Sequence, residues 1–267
     1  MSRTSHRGRT LGVLGIVVVG VLAVALWPAL QSYVGVRPPA QFYADLEPAF
    51  VPSGTPVLGV AHNAGNNPST TAAALAHGAA VIEIDVVSAG GRLVAGRDQP
   101  LPRVAGRMFR GYSLEEMWTR AEPARVIKLD LKATDRTSLD SLVLFLRPRL
   151  AHHEVMVSSG DAASIAYLHP RLPSAVLLFS AGWPDELAAV RANPELVADI
   201  GGVSVFHGLV DPALVTWMHQ RRLLVLTWTV NDGQRLNEVV RDGVDGVTTA
   251  NLAIVRALDS PTERTSG

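Results

Sequence analysis

The sequence contains no cysteine, which excludes disulfide bonds and thiol chemistry within this chain. It also has no excess charge, because 24 lysine and arginine residues balance 24 aspartates and glutamates. Without a positive field to attract nucleic acid, we predict no nucleic-acid partner. Neither a glycine fingerprint for a dinucleotide nor a P-loop is found. The 267 residues are enough for one barrel-sized domain and an extension.

The extension is N-terminal, where an uncharged apolar run at residues 11–30 follows Arg3, Arg7 and Arg9. About twenty such residues can span a bilayer. The arginines predict that the N-terminus stays cytoplasmic while the rest of the chain lies outside. We therefore predict a single-pass membrane anchor. The alternative is a cleaved signal peptide and a secreted domain, because Ala23-Val24-Ala25 offers a small-x-small cleavage site.

From residue 57 onward, short apolar strands alternate with helical patterns. Nearly continuous apolar strands, each followed by a helix, indicate a parallel sheet covered on both faces. Eight such units suit a (β/α)8 TIM barrel, with a doubly wound open sheet as the alternative. The predicted strands are 57–62, 81–87, 125–131, 154–158, 175–179, 202–206, 223–229 and 243–247. The predicted helices are 70–77, 114–120, 138–146, 162–168, 184–191, 212–221, 234–241 and 252–258.

One interval departs from this alternation: the strand at 81–87 is followed by Ser88-Ala89-Gly90-Gly91 and then residues 92–97. It is too short for a helix and predicts a tight hairpin that turns the strand back on itself, so residues 93–96 are not counted as a barrel strand. The predicted organisation is a cytoplasmic tail at 1–10, an anchor or signal peptide at 11–31, a linker at 32–55, the barrel at 56–260 and a polar tail at 261–267.

Two acidic residues interrupt the apolar strand at 81–87. Because successive side chains on a strand point to opposite faces, Glu83 and Asp85 share one face, while Ile82 and Ile84 share the other. Two adjacent buried acids are costly unless something pairs with them, and a bound cation is the simplest partner. The alternative is an exposed edge strand with a polar face.

The catalytic groups of such barrels lie at the carboxyl ends of the strands. Glu83, Asp85 and Asp130 would then point into one mouth, and their repulsion would raise their pKa values unless a divalent cation lay between them. Ligands that are all oxygen suit Mg²⁺ or Ca²⁺ better than Zn²⁺. The other polar or aromatic residues at predicted strand ends are His62, Lys132, Ser158, Ser159, His207, Trp228 and Asn231.

Each rim residue also has a structural interpretation. His62 and His207 could be structural histidines, Asp130 and Lys132 could form a simple ion pair, and Trp228 could belong to the core. Their common position at one predicted rim favours a functional site over these separate explanations.

The order of these residues resembles the glycerophosphodiester phosphodiesterase superfamily, over residues 57–258. The matching motifs are His62, Glu83-Ile84-Asp85, Asp98, Leu101 with Arg103, Asp130-Leu131-Lys132, Trp228-Thr229-Val230-Asn231 and Gly243-Val244-Asp245-Gly246-Val247. The resemblance implies a (β/α)8 barrel that hydrolyses phosphodiesters such as glycerophosphocholine. It also implies a divalent cation, Mg²⁺ or Ca²⁺, held by a Glu-x-Asp pair and a further acid.

Carried over residue by residue, the resemblance implies that Glu83, Asp85 and Asp130 hold the metal. His62 would act as a base and Lys132 would contact the phosphate. The third ligand is commonly Glu in the phosphodiesterases, whereas an Asp there resembles the related sphingomyelinase D-type phospholipases. The predicted substrate-binding residues are Asn63, Arg103, Trp228 and Asn231.

The departures from the family pattern concern proton transfer and phosphate binding. The family's His-Arg-Gly reads His62-Asn63-Ala64, and its hairpin His-Asp reads Arg97-Asp98. Arginine stays protonated and cannot replace a histidine as proton carrier, a role that contributes about 10²–10⁴-fold to rate. Arg97 could instead restore the positive charge missing at Asn63. Help for the leaving oxygen would then come from the metal, from water or from His207.

Three hypotheses follow. The first is a membrane-anchored, metal-dependent phosphodiesterase that acts on glycerophosphodiesters or phospholipid headgroups outside the cytoplasm, with attack by water or by a neighbouring substrate hydroxyl. The second is a degenerate barrel that binds phosphodiester or lipid headgroups without turnover, which Arg97 favours. The third is an unrelated barrel hydrolase, against which the Asp130–Lys132 and Trp228–Asn231 matches argue.

Overall fold

The computed structural model describes residues 57–89, 91–96 and 111–259, and within these ranges the chain forms nine strands. The predicted anchor at 11–31, the linker at 32–55 and the tail at 261–267 lie outside the described residues. No helix in the described part is long and apolar enough to cross a membrane. The strands are β1 (Leu58–Ala61), β2 (Val81–Ala89), β3 (Arg92–Ala95), β4 (Val126–Leu131), β5 (Glu154–Ser159), β6 (Val176–Ala181), β7 (Gly202–Phe206), β8 (Leu224–Trp228) and β9 (Gly246–Thr249).

Eight of these strands close into a parallel barrel, in the order β1-β9-β8-β7-β6-β5-β4-β2, with β1 paired back to β2. The ninth strand, β3, runs antiparallel to β2 and lies outside the closed ring. The (β/α)8 barrel and the hairpin predicted from the sequence are therefore both confirmed. The open doubly wound sheet is excluded, because the β1–β2 pairing leaves the ring without an open edge.

Helices follow the barrel strands and cover the outside of the ring. They are α1 (Pro68–Ala76), α2 (Leu114–Ala121), α3 (Arg136–Leu146), α4 (Ala162–Leu168), α5 (Pro184–Ala192), α6 (Pro194–Asp199), α7 (Pro212–His219), α8 (Gly233–Asp242) and α9 (Leu252–Asp259). Side-chain caps begin most of them: Asn67, Ser113, Asp135, Asp161, Asn193, Asp211 and Asp232 each accept a backbone N–H of the first turn. Each such cap stabilises its helix by about 1 kcal/mol.

Some predicted boundaries are wrong for local reasons. The last strand begins at Gly246 rather than at 243, because Gly243 takes a left-handed conformation with φ 94° and ends α8. The first helix begins at Pro68 rather than at 70, since Asn67 caps it there. The helix α6 was not predicted, although Asn193 and Pro194 carry a cap and an N1 proline that could have indicated it.

The barrel interior changes from apolar to polar along the strands. A compact cluster takes one residue from each of six barrel strands: Val60, Val81, Val126, Met156, Leu178 and Leu226. Two positions further along the same strands, the side chains on the same face are polar or aromatic: His62, Glu83, Lys128, Ser158, Ser180 and Trp228. The alternate side chains join the larger core between the ring and the helices. The fold therefore places a polar layer on an apolar floor, at the carboxyl end of the barrel.

Candidate active site and metal centre

Three carboxylates meet at the carboxyl end of the barrel. Glu83 and Asp85 on β2 and Asp130 on β4 each offer an oxygen, and these oxygens all lie within 4.8 Å of one another. The register of the two strands explains the meeting, because Asp85 pairs directly with Asp130. Glu83 and Asp85 are each 2% exposed. The structure thus brings together the three side chains for which the sequence predicted a shared position.

A buried lysine that sequence reasoning missed lies beside Glu83, one layer below the two aspartates. Lys128 pairs with Glu83 in the strand register, and its Nζ donates to Glu83 Oε2 at 2.7 Å. Burial alone would lower the pKa of Lys128, but Glu83 and Asp130 outweigh it and hold that pKa above its ordinary value. Two signals could have found this residue. Lys128 shares strand parity with Asp130, and the chain contains only one other lysine, Lys132.

Lys132 contacts the acids from the solvent side. Its Nζ lies 2.5 Å from Asp130 Oδ2 and 3.6 Å from Asp85 Oδ1, and its side chain is 36% exposed. Burial opposes the charged form, yet Asp130 and Asp85 raise the pKa of Lys132 above its ordinary value. With both lysines charged and all three acids ionised, these five side chains carry a net charge of about −1.

The two aspartates have opposite electrostatic surroundings. Burial and the charge of Glu83 raise the pKa of Asp85 to about 7. Burial also acts to raise the pKa of Asp130, but Lys128 and Lys132 together hold it below its ordinary value. Ser158 Oγ donates to Asp130 Oδ1 at 3.0 Å and adds to this effect. A cation beside Asp85 would favour its ionised form, so the donor set fits a divalent ion that prefers oxygen ligands.

The loop after β1 forms the third side of the site. His62 Nε2 lies 3.7 Å from Glu83 Oε1. With its amide nitrogen turned toward the acids, Asn63 donates to Asp85 Oδ2 at 2.7 Å and to Glu83 Oε1 at 3.3 Å. Asn63 has φ 56°, a left-handed conformation that asparagine adopts more readily than most residues. The loop therefore delivers both an imidazole and an amide to the carboxylates.

Asn66 of the same loop was also missed by sequence reasoning. Its Nδ2 donates to Asp85 Oδ2 at 2.8 Å, and its Oδ1 accepts the backbone N–H of Asp85, also at 2.8 Å. Asn66 therefore fixes both the backbone and the carboxylate of Asp85. No sequence pattern marks it, because the contact depends on how the chain turns after β1.

A pocket of about 300 Å³ opens beside the acids, and its wall contains Asp130, Lys132, Trp183, Glu186 and Trp228. Trp228 is fixed, because its Nε1 donates to the carbonyl of Ser204 at 3.0 Å. Trp183 is 69% exposed and was not predicted. Glu186 orients the loop that carries Trp183, because Glu186 Oε2 accepts the backbone N–H groups of Gly182 and Trp183.

Comparison with protein families matches residues 116–253, more than half of the chain, to the model of the glycerophosphoryl diester phosphodiesterase family. The chain belongs to this family. Members of the family are phosphoric diester hydrolases. The matched range contains Asp130, Lys132 and Trp228, whereas Glu83 and Asp85 precede it. The structure places those two acids in one cluster with Asp130, which lies inside the matched range.

Solved structures of the family share the fold. A putative glycerophosphoryl diester phosphodiesterase from Silicibacter pomeroyi is 20% identical, with a TM-score of 0.62 over 81% of this chain and 97% of that one. A phosphodiesterase from Oleispira antarctica, solved with the product sn-glycerol-3-phosphate, is 18% identical, with a TM-score of 0.61 over 76% and 96%. The Thermotoga maritima enzyme is 17% identical, with a TM-score of 0.61 over 76% and 97%. No curated protein sequence matches this chain.

Three further predicted site residues are Arg97, Arg103 and Asn231. Arg97 and Arg103 lie outside the described residues, so their roles stay predictions. Asn231 uses its side-chain oxygen to accept from Thr249 Oγ1 and the backbone N–H of Ala250, which ties the loop after β8 to the end of β9.

The structure does not support a catalytic position for His207. Its Nδ1 lies 3.3 Å from Arg235 Nε, and its ring packs on Phe206. It follows β7 with the parity of Val203 and Val205, which belong to the core outside the ring. Burial and the charge of Arg235 lower the pKa of His207.

Proposed function

We propose that this chain is a divalent-metal-dependent phosphodiesterase whose substrates are glycerophosphodiesters or phospholipid headgroups. The observation that carries the proposal is the cluster of Glu83, Asp85 and Asp130, which has His62 on one side and Lys132 on the other. The pocket of about 300 Å³ beside it is large enough for a small phosphodiester. The family of the chain and the fold it shares with a product-bound phosphodiesterase support the same reaction class.

The three acids would hold Mg²⁺ or Ca²⁺, which when bound supplies a Lewis acid for the phosphoryl oxygens. Lys132 faces the pocket and would bind a phosphate oxygen as a point charge, which stabilises the negative charge of the transition state. Trp183 and Trp228 offer apolar faces for the alcohol part of the substrate.

His62 is the proposed base, because it is the histidine that the structure brings to the carboxylates. Its Nε2 would remove a proton from the attacking hydroxyl, and the nearby Glu83 would stabilise the imidazolium that forms. The phosphorus–oxygen bond to the alcohol then breaks, and the leaving oxygen takes a proton from the imidazolium or from water. Attack by water gives a phosphomonoester, whereas attack by a substrate hydroxyl gives a cyclic phosphate.

The test uses the full chain purified in mild detergent and incubated with glycerophosphocholine or a lysophospholipid, with either Mg²⁺, Ca²⁺ or a chelator. Metal-dependent product is expected, and ³¹P NMR distinguishes a phosphomonoester from a cyclic phosphate. His62→Ala should lower the rate at least about 100-fold, whereas His152→Ala, at an exposed position, should leave it unchanged. Equal rates with metal and with chelator would refute the proposed metal dependence.

The same experiment separates turnover from mere binding. Arg97 replaces the second histidine of the family pattern, and this favours the alternative of a barrel that binds phosphodiesters without cleaving them. A wild-type chain that binds substrate without product, together with an Arg97→His variant that gains turnover, would establish the alternative.

We also propose an extracytoplasmic location for the barrel, anchored by the apolar run at 11–30 or secreted after its cleavage. The arginines before that run support this orientation. Protease treatment of intact cells tests it, because an anchored extracytoplasmic barrel is degraded while a cytoplasmic one is protected.

A further inference from the structure

We infer that Lys128 is a built-in counter-cation of Glu83 that weakens and thereby sets the divalent-ion affinity of the site. The inference rests on the proposed metal-binding role of the acids, but not on turnover.

The position of Lys128 separates it from a substrate-binding lysine. Its side chain is 2% exposed and lies in the strand register between Glu83 on β2 and Met156 on β5. Val126, one inward position below it, belongs to the apolar floor of the barrel. Lys128 therefore lies level with Glu83 and one layer below Asp85 and Asp130, whereas Lys132 lines the pocket. Lys128 can act on the carboxylates but does not line the pocket.

The use of lysine in this chain is confined to the site. The sequence has 24 basic residues besides histidine, and Lys128 and Lys132 are the only lysines among them. Lys128 lies on β4 and Lys132 directly follows that strand. Lys128 forms an ion pair with Glu83, and Lys132 forms ion pairs with Asp85 and Asp130. A compact ammonium suits a pair with the single carboxylate of Glu83, whereas a planar guanidinium with five donors would need more partners than one carboxylate supplies.

Lys128 competes with a cation in two ways. It occupies Oε2 of Glu83 at 2.7 Å, while Oε1 faces His62 and Asn63, so the carboxylate is already committed on one side. It also repels any second positive charge bound to the same carboxylate, and this repulsion is strong at short range in a buried site. The divalent ion enters a cluster of net charge about −1 rather than about −2.

The compensating benefit is a barrel that folds without metal. A buried Glu83 with no cation beside it would oppose folding, because its carboxylate would lose hydration without gaining an opposite charge. The pair with Lys128 satisfies Glu83 at all times. The protein thus exchanges tight metal binding for stability of the metal-free state.

The test measures Mn²⁺ binding to the full chain without substrate, by calorimetry and by electron paramagnetic resonance. Lys128→Met removes the charge at nearly constant volume, and it should tighten Mn²⁺ binding by about 10- to 100-fold, because it removes the repulsion between two positive charges bound to one carboxylate. The metal-free variant should also melt at a lower temperature than the wild type, and Mn²⁺ should raise its melting temperature more.

Lys132→Met is the matched control, since it is the same substitution at the only other lysine. Its ammonium is partly solvated, so the gain in Mn²⁺ affinity should be smaller, while binding of inorganic phosphate should weaken. Equal gains at the two positions would overturn the inference, as would unchanged or weaker Mn²⁺ binding in Lys128→Met.

A second variant separates the loss of charge from the loss of a hydrogen-bond donor, which could itself cause misfolding. Lys128→Gln keeps a donor for Glu83 without the charge and should also tighten Mn²⁺ binding. A variant that folds only when Mn²⁺ is present supports the inference, because the ion then replaces the lysine. If the wild type binds no Mn²⁺ but Lys128→Met does, the proposed metal-dependent function fails while the inference holds. If neither variant binds more tightly, the inference fails whatever the wild type does.

Discussion

Asn66 and Asp85 are joined by two reciprocal hydrogen bonds. The side-chain amide of Asn66 donates to Asp85 Oδ2, and the backbone N–H of Asp85 donates to Asn66 Oδ1, both at 2.8 Å. The pair connects the loop after β1 to the middle of β2 and leaves Asp85 one orientation toward Glu83 and Asp130. Partners that orient a ligand in this way usually matter almost as much as the ligand itself.

Asn66→Ala should therefore weaken Mn²⁺ binding by about 10- to 100-fold, because Asp85 loses the group that fixes its carboxylate. The neighbouring Asn67→Ala is the control. Asn67 caps α1 by accepting from Ser69 and Thr70, so its loss should cost about 1 kcal/mol of stability with no change in Mn²⁺ affinity. Calorimetric titration and urea unfolding of both variants measure the two effects, and equal Mn²⁺ affinity in the wild type and Asn66→Ala would refute the orienting role.

The acid cluster could be predicted from the sequence because it depends only on strand parity. Glu83 and Asp85 on β2, and Asp130 on β4, each follow an apolar strand start, and parallel strands deliver such residues to one rim. Lys128 has the same strand parity, so its position on the inner face could be predicted. Its ion pair with Glu83 could not, because that pairing depends on the register between β2 and β4.

Asn66 and Trp183 were beyond sequence reasoning for a different reason. Both lie after strand ends, where backbone turns rather than a repeating period set the direction of a side chain. The later start of β9 had a local signal, because Gly243 ends α8 instead of beginning the strand. Helices and strands can be recognised from the period of their apolar residues, whereas contacts made by loops depend on how the barrel closes.

Gly65 allows the loop after β1 to approach the barrel wall. A Cβ at this position would lie 2.3 Å from Ile84 Cγ1 and 3.0 Å from the carbonyl oxygen of Glu83. Gly65→Ala should therefore displace the loop, lower the stability by about 1–3 kcal/mol, and weaken Mn²⁺ binding because Asn63 and Asn66 move with it.

Gly160→Ala is the matched control for that substitution. It also lies beside the pocket, but its Cβ would meet only the Ser180 carbonyl oxygen, at 3.5 Å. Urea unfolding and Mn²⁺ titration should show little change for Gly160→Ala. If Gly65→Ala behaves like Gly160→Ala, close packing of the loop does not matter for the site.

The stability of the metal-free protein should depend on pH through Asp85. Its pKa is raised from 3.8 to about 7 by burial and by Glu83, so between these values the folded state holds a proton that the unfolded chain has released. The free energy of unfolding should therefore fall as pH rises from about 4 to about 7. Urea unfolding at pH 5 and pH 7.5 measures the fall.

Asp85→Asn identifies the group responsible, because it removes the titration and leaves other ionisable side chains in place. The variant should lose less stability between the two pH values than the wild type. Saturating Mg²⁺ should also reduce the loss in the wild type, since a bound cation favours the ionised carboxylate. Parallel pH profiles for the two proteins would show that Asp85 does not hold the proton.

Trp183 should contribute to substrate binding without contributing to folding. Its side chain is 69% exposed, yet it lines the pocket together with Trp228 and Lys132. An aromatic face against a substrate alcohol or a headgroup cation is worth about 1 kcal/mol. Trp183→Ala should therefore raise KM for glycerophosphocholine by about five-fold, with kcat and the melting temperature nearly unchanged. Leu144→Ala is the matched control, because Leu144 is 72% exposed on α3 and does not line the pocket. A fall in kcat with constant KM, or an equal effect of Leu144→Ala, would show that Trp183 is not a binding residue.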